Sequence, residues 1–143
     1  MSNVPYIPAG YHAVTPYLTV KGVAELIEFL KTTFDATEKE LMKRADGSIH
    51  HAEMQIGDSV IMMGEATGEW KPTGASLHVY VSDTDATYRR ALEAGATSLR
   101  EPVDQFYGDR AGGVQDAWGH GWWLATHIED MSKEEMEKRA AQR

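Results

Sequence analysis

The chain of 143 residues is 42% hydrophobic, contains no cysteine and carries a formal net charge of −8. That length suits one domain able to bury its own core, and without cysteine there are no disulfides, thiolate metal sites or thiol nucleophiles, which fits a reducing, cytoplasmic setting. The acidic balance argues against a nucleic-acid partner, no apolar run nears the ~20 residues that span a bilayer, and the opening Met1-Ser2-Asn3-Val4-Pro5 is not patterned as a signal peptide.

Residues 1–13 read as an arm holding Pro5, Pro8 and Gly10. Val14 to Val20 alternates, with Val14, Pro16, Leu18 and Val20 on one face and Thr15, Tyr17 and Thr19 on the other, which predicts a strand. Pro16 cannot donate to a ladder, so this strand is expected at an edge or bulge. Gly22 to Phe34 reads as a helix, because Val23, Leu26, Ile27, Leu30 and Phe34 form one stripe. Thr37 to Arg44 and Ile49 to Ile56 read as strands joined by an Asp46-Gly47 hairpin turn. Gly57-Asp58 turns the chain into a fourth strand, Ser59 to Met63. Residues 64–75 are rich in Gly, Thr and Pro and read as a linker.

The pattern then restarts. Ser76 to Val81 alternates, Ser82 and Asp85 stand at capping-box spacing, and the helix is expected to run to Ala94 with Gly95 as its stop. Ala96 to Arg100 reads as a strand, 101–112 as a long loop, Gly113 to Asp116 as a strand, and Trp122 to His127 as the last strand after the Gly119 turn. Val20 maps to Val81, Ala36-Thr37 to Ala96-Thr97 and Gly57 to Gly119, offsets of 61, 60 and 62. The chain therefore reads as one α+β domain of two tandem βαβββ modules, 14–63 and 76–128, joined by the linker. Residues 129–143 form a tail with a polar helix at 132–142, either solvated or packed on a partner subunit.

These features resemble the vicinal-oxygen-chelate superfamily of glyoxalases, bleomycin-resistance proteins and ring-cleaving dioxygenases. The second half is similar to the PhnB-like branch at 79–85, at Ala91-Leu92-Glu93-Ala94-Gly95-Ala96-Thr97, at Asp104-Gln105-Phe106-Tyr107-Gly108-Asp109-Arg110, at Asp116-Ala117-Trp118-Gly119-His120 and at 125–130. The first half agrees at Thr15-Pro16-Tyr17-Leu18 and at 51–59, and Ala117 departs from the branch, which usually has proline there. The resemblance implies a half-barrel fold around a cavity, with Thr15, Tyr17, His78 and Tyr80 lining it, and a homodimer. It also implies four metal-ligand positions. Counting from the strand-ending valines and from the turns places them at Thr15, Ser76, Ile61 or Met62, and Trp123. None is a usual ligand for a divalent ion, so no cofactor is expected. A displaced site at His51, Glu53 and His78 is the alternative, because His51 and Glu53 share a strand face.

His50 points away from His51. His120, in a turn, is expected to be solvated, and His127 to edge the cavity or make a structural hydrogen bond. Arg110 is a candidate to hold an anionic ligand, or to pair with Asp109. Trp118, Trp122 and Trp123 suit a cavity wall or subunit interface, Trp70 a lid, and Met54, Met62 and Met63 the core. No nucleophile elbow or phosphate loop is present. Two main readings follow. One is a metal-independent small-molecule binder using Tyr17, His51, Glu53, His78, Tyr80, Arg110 and Trp123. The other is a lyase, isomerase or oxygenase in which Glu53 orients His51 as general base. A purely structural dimerisation module is a third.

Overall fold

A computed structural model describes residues 3–143, and the chain divides into two compact units that meet between Thr73 and Gly74. The first unit holds β1 (Tyr17–Val20), α1 (Val23–Phe34), β2 (Thr37–Lys43), β3 (Ile49–Ile56) and β4 (Ser59–Glu65). Its sheet has the order β1-β4-β3-β2. β1 runs parallel to β4, and the remaining pairs are antiparallel. The period-2 alternation does what it predicts. Leu18, Val20, Ala52, Met54, Ile61 and Met63 are buried on one face, as are Val23, Leu26, Ile27 and Leu30 of the helix stripe. Each such large side chain removed from water contributes roughly 1.5–3 kcal/mol.

β1 begins three residues later than the alternation suggests, and Val14 is 84% exposed. Pro16 still contributes its carbonyl, which accepts from Met62 N at 2.9 Å, and β1 is an edge of the sheet, as a proline at its start requires. β4 continues past Met63 into the expected linker, to Glu65. The reason lies in α1. Its N-cap Gly22 has no side chain to offer, and both Glu65 carboxylate oxygens take the open donors, from Gly22 N at 2.9 Å and Val23 N at 3.1 Å. A carboxylate at a helix N-terminus meets unpaired N–H groups and the positive end of the dipole. The opposite edge, β2, is exposed along its whole length and carries Glu38, Lys39, Glu40 and Lys43, charges that discourage edge-to-edge pairing.

The second unit holds β5 (Ser76–Tyr80), α2 (Thr84–Glu93), β6 (Thr97–Asp104), β7 (Asp109–Gln115), β8 (Gly121–His127) and α3 (Lys133–Ala141). Its order, β5-β8-β7-β6, repeats that of the first unit. The register repeats as well. Tyr17 stands opposite Met62 in one parallel pair and His78 opposite Trp123 in the other, both shifted by 61 positions (17 to 78, 62 to 123). Trp122, Val114, Leu124 and Ala91 are fully buried here. No helix among the described residues is long and apolar enough to cross a membrane.

Three expectations for this half are corrected. Residues 101–112 are not a long loop: β6 runs on to Asp104 and β7 starts at Asp109. The short connection closes with Gln105 N to Asp109 O at 2.7 Å and Gly108 at φ 96. Gly112 and Gly113 sit inside β7 because neighbours occupy their side-chain space. A Cβ on Gly112 would lie 3.1 Å from Pro102, and one on Gly113 would lie 2.4 Å from the Trp123 ring. The cap of α2 is Asp83, whose carboxylate accepts from Ala86 N at 3.1 Å, rather than Ser82. The tail helix is capped by Ser132 as its spacing predicts, with Glu135 N donating at 3.1 Å, and none of its residues is buried.

Candidate functional site

The ladder of the first unit puts Tyr17, Thr19, His51, Glu53, Met62 and Gly64 on the sheet face opposite the α1 core. Three of them form a chain. His51 Nε2 lies 2.8 Å from Glu53 Oε2, and His51 Nδ1 lies 3.2 Å from the Tyr17 hydroxyl. Glu53 is only 4% exposed. Its second oxygen accepts a short hydrogen bond from the Tyr11 hydroxyl, and the Lys39 ammonium sits 4.8 Å from the centre of the Tyr11 ring. Burial pushes the Glu53 carboxyl up, but hydrogen bonds from Tyr11 and His51 outweigh that and hold it below the usual carboxylate range. The same bond pushes the Tyr11 hydroxyl up to about 12.

The lowered Glu53 carboxyl sets the direction of the two bonds it receives. An ionised Glu53 only accepts, so Tyr11 O–H and His51 Nε2–H both donate to it. With that nitrogen donating, Nδ1 is the atom that faces the Tyr17 hydroxyl, 3.2 Å away. Gly64 makes this possible, because a Cβ there would stand 2.6 Å from the Tyr17 hydroxyl. Beside the chain opens a cleft of about 290 Å³, lined by Tyr17, Thr19, Arg44, His50, Gly64, Glu65, Thr67 and Trp70. Trp70 stands at its wall, in a turn held by Thr67, whose hydroxyl accepts from Trp70 N at 2.9 Å.

The second unit offers a different surface. The His78 and Tyr80 rings meet edge to face at 4.9 Å, and both residues are exposed. The Trp123 indole covers Gly113 and donates to Ser76 Oγ at 3.1 Å. Arg110 is engaged from two sides. Its Nε and Nη2 grip Asp85 at 2.6 and 2.9 Å, and its Nη1 bonds Asp104 at 3.0 Å. Asp109, its neighbour in sequence, binds His127 instead, at 2.8 Å. The Arg110 fork is thus occupied by the protein's own carboxylates, which leaves little for a ligand. His127 also reaches Asp130 at 2.7 Å, and the two carboxylates raise its pKa.

His120 is not solvated; it is fully buried. Its backbone N–H and Nδ1 each lie 2.9 Å from the Asp116 carboxylate, which also accepts from Trp122 Nε1 at 2.8 Å and Trp118 N at 2.9 Å. Burial raises the Asp116 carboxyl, and the bonds from His120 and Trp122 bring it below its ordinary value. The Asp116–His120 turn is a buried polar clasp, and Trp122 is core.

The donors suit a divalent ion poorly in either unit. On the two parallel ladders Tyr17 faces Met62 and His78 faces Trp123. Thioether and indole are poor or null ligands for such an ion. Within each unit, no three His, Asp or Glu side chains among the described residues gather to hold a metal. The structure joins His51 to Glu53 and adds three residues absent from the sequence-based site: Tyr11, Gly64 and Arg44. Tyr11 lies 42 positions from its partner, in an arm without periodicity. Only the aromatic rings within that Pro- and Gly-containing arm hinted at packing.

Residues 11–124 match the family model of the Glyoxalase/Bleomycin resistance protein/Dioxygenase superfamily. An uncharacterized Mycobacterium bovis protein, Mb0911c, is 32% identical over 136 residues, covering 87% of this chain and 90% of the relative. Its Mycobacterium tuberculosis counterpart Rv0887c, also uncharacterized, is 32% identical over 136 residues and covers 87% and 80%. Among solved structures, TioX from Micromonospora sp. ML1 aligns with a TM-score of 0.69 at 24% identity, covering 82% of this chain and 99% of that one. The PhnB protein from Bacillus cereus aligns at 0.61 and 15% identity, covering 80% and 99%. These two likenesses speak to the fold. The family match spans both modules, and with the repeated βαβββ order it shows that this chain belongs to the glyoxalase/bleomycin resistance protein/dioxygenase superfamily.

Proposed function

We propose that the protein binds a small molecule in the cleft of its first unit without a resident metal. The observation that carries this reading is Tyr17. Its ring lines the cleft while its hydroxyl ends a hydrogen-bonded chain through His51 to the buried Glu53. Concave sites with aromatic walls and a few oriented polar groups are the usual form of ligand pockets. The test is a panel of small aromatic and polar compounds, followed by NMR of the histidine and tyrosine rings. A binder should shift Tyr17 and His51 together, and Tyr17→Phe should weaken it. A panel whose binders leave both rings unmoved would sink the reading. Stoichiometric zinc, iron or manganese in the purified protein would overturn its metal-free part. On the second unit, taken by itself, His78, Tyr80 and Trp123 are proposed as a ligand-contacting surface; Arg110 is the weakest candidate, because its fork is filled.

A second reading, an acid/base enzyme, draws on the same chain. A carboxylate that fixes one imidazole nitrogen leaves the other able to accept a proton, here from the Tyr17 hydroxyl. The Tyr17 oxygen would then abstract a proton from a bound substrate as its own passes to His51. Turnover that vanishes in His51→Ala, with ligand binding retained, supports this reading; turnover unchanged by that substitution excludes it.

A further inference from the structure

We propose that the cleft takes a small aromatic molecule bearing one anionic group, with its ring against Trp70 and Tyr17 and its charge held by Arg44 and His50. This rests on the reading that the first-unit cleft is a ligand site, and names the class of ligand. The argument starts from charge. The chain has 22 acidic and 14 basic side chains, and two of its arginines are spent on carboxylates. Arg110 takes two, and Arg139 takes Glu129 and Glu135. Arg44 lines the cleft and makes no carboxylate ion pair among the described residues, although Asp46, two residues on, feels its charge. Its guanidinium spends one long bond, 3.5 Å from Nη1 to the Ile49 carbonyl, and guanidinium carries five donors in a fixed fork. Its backbone is fixed by the hairpin, through Arg44 N to Ser48 O at 2.7 Å and Gly47 N to Arg44 O at 2.9 Å. The cation is therefore anchored at its base and unspent at its tip.

His50 follows the same hairpin and lines the same cleft. It sits at the register shift between Ile49 and His51 on the β2–β3 ladder. Glu65 also lines the cleft, but its oxygens are taken by Gly22 N and Val23 N at the start of α1. An anion is therefore directed to the Arg44 and His50 side. The aromatic part of the ligand follows from the walls. Trp70 is 68% exposed and Tyr17 50% exposed, and flat rings at a cleft favour stacked or edge-on aromatic partners. The volume of about 290 Å³ falls just below the roughly 300–1,000 Å³ of ligand pockets, which suits a single ring with a short arm.

The experiment titrates the full chain with phenylacetate, its neutral isostere phenylacetamide, and butyrate, reading affinity by calorimetry and location by NMR. Phenylacetate should bind about tenfold or more tightly than either comparator, as a charge-assisted bidentate contact implies. Arg44→Gln should erase the preference for the anion, Arg44→Lys should keep part of it, and Trp70→Ala should weaken phenylacetate and phenylacetamide alike. Circular dichroism confirms that each variant is folded, and the lysine variant carries the test should glutamine disturb the hairpin. Equal binding of acid and amide in the wild type, with Trp70 and Tyr17 signals moving, would overturn the anion assignment and leave the cleft as a ligand site. Binding that moves neither Trp70 nor Tyr17 would overturn both.

Discussion

Replacing Glu53 by Gln tests the hydrogen-bonded chain most directly. The carboxylate is buried and takes one bond from Tyr11 and one from His51. A hydrogen bond to a charged group contributes about 1.5–3 kcal/mol, and glutamine keeps one acceptor oxygen, so a loss of about 2 kcal/mol of folding stability is expected. Tyr11 gives a second readout. Its hydroxyl, pushed up to about 12 from an ordinary 10.0 by Glu53, should titrate near its ordinary value once the carboxylate is gone. Urea unfolding measures the first effect, and the Cζ chemical shift of Tyr11 against pH measures the second. The pH dependence of stability has a definite sign. The folded Glu53 carboxyl is held below its unfolded value near 4.3, so its contribution is present above that pH and fades as pH falls through the lower folded value. The raised Tyr11 hydroxyl stabilises fully below about 10 and loses its contribution as pH climbs through about 12. Wild type and Glu53→Gln should therefore converge in stability at both extremes. Tyr11 titrating near 10 in the wild type, or a variant as stable as wild type at neutral pH, would refute the linkage of arm to sheet.

Other outcomes follow from the same geometry. Asp116→Asn turns an acceptor into a donor facing Trp122 Nε1 and His120, which should cost about 2–4 kcal/mol in denaturant unfolding. Gly113→Ala drives a Cβ into the Trp123 ring and should cost about 1–3 kcal/mol, with a change in tryptophan fluorescence; an unchanged emission spectrum would argue against the contact. His127 should titrate above an ordinary histidine in NMR, and Asp109→Asn should bring it down. Because that value is raised in the folded state, the His127 contribution to stability is full below about 6.5 and is lost as pH rises through the folded value. Gly64→Ala should displace the Tyr17 hydroxyl, breaking its contact with His51 and any ligand response that depends on it.

What was legible in the sequence was local. The stripe Val23, Leu26, Ile27, Leu30 and the Asp46-Gly47 turn carry their own periodicity, and both appear as expected. His51 and Glu53 could be paired from spacing alone, since residues two apart share a strand face. The β6–β7 hairpin was hidden because its reasons are tertiary: glycines enter β7 where Pro102 and Trp123 fill the missing side-chain space. His120 looked like a turn residue because nothing local says that Asp116 folds back to receive it. Arg110 reads as an anion holder or a partner of Asp109 for the converse reason, since Asp85 and Asp104 reach it from α2 and β6.

The two modules differ at equivalent positions of their ladders. In the first unit Glu53 stands opposite Met62; in the second, Gly113 stands opposite Trp123. His51 opposite Gly64 becomes Ala111 opposite Ala125. At the ladder positions where one module carries a carboxylate and an imidazole, the other carries a glycine and an alanine, and its indole lies over the glycine. A carboxylate at position 113 would need the space that Trp123 occupies, so the two solutions exclude each other within one module. The carboxylate–imidazole pair on this sheet face is therefore a feature of the first unit, where Tyr11, Tyr17 and Gly64 supply its supports. The second unit offers apolar and aromatic surface in its place.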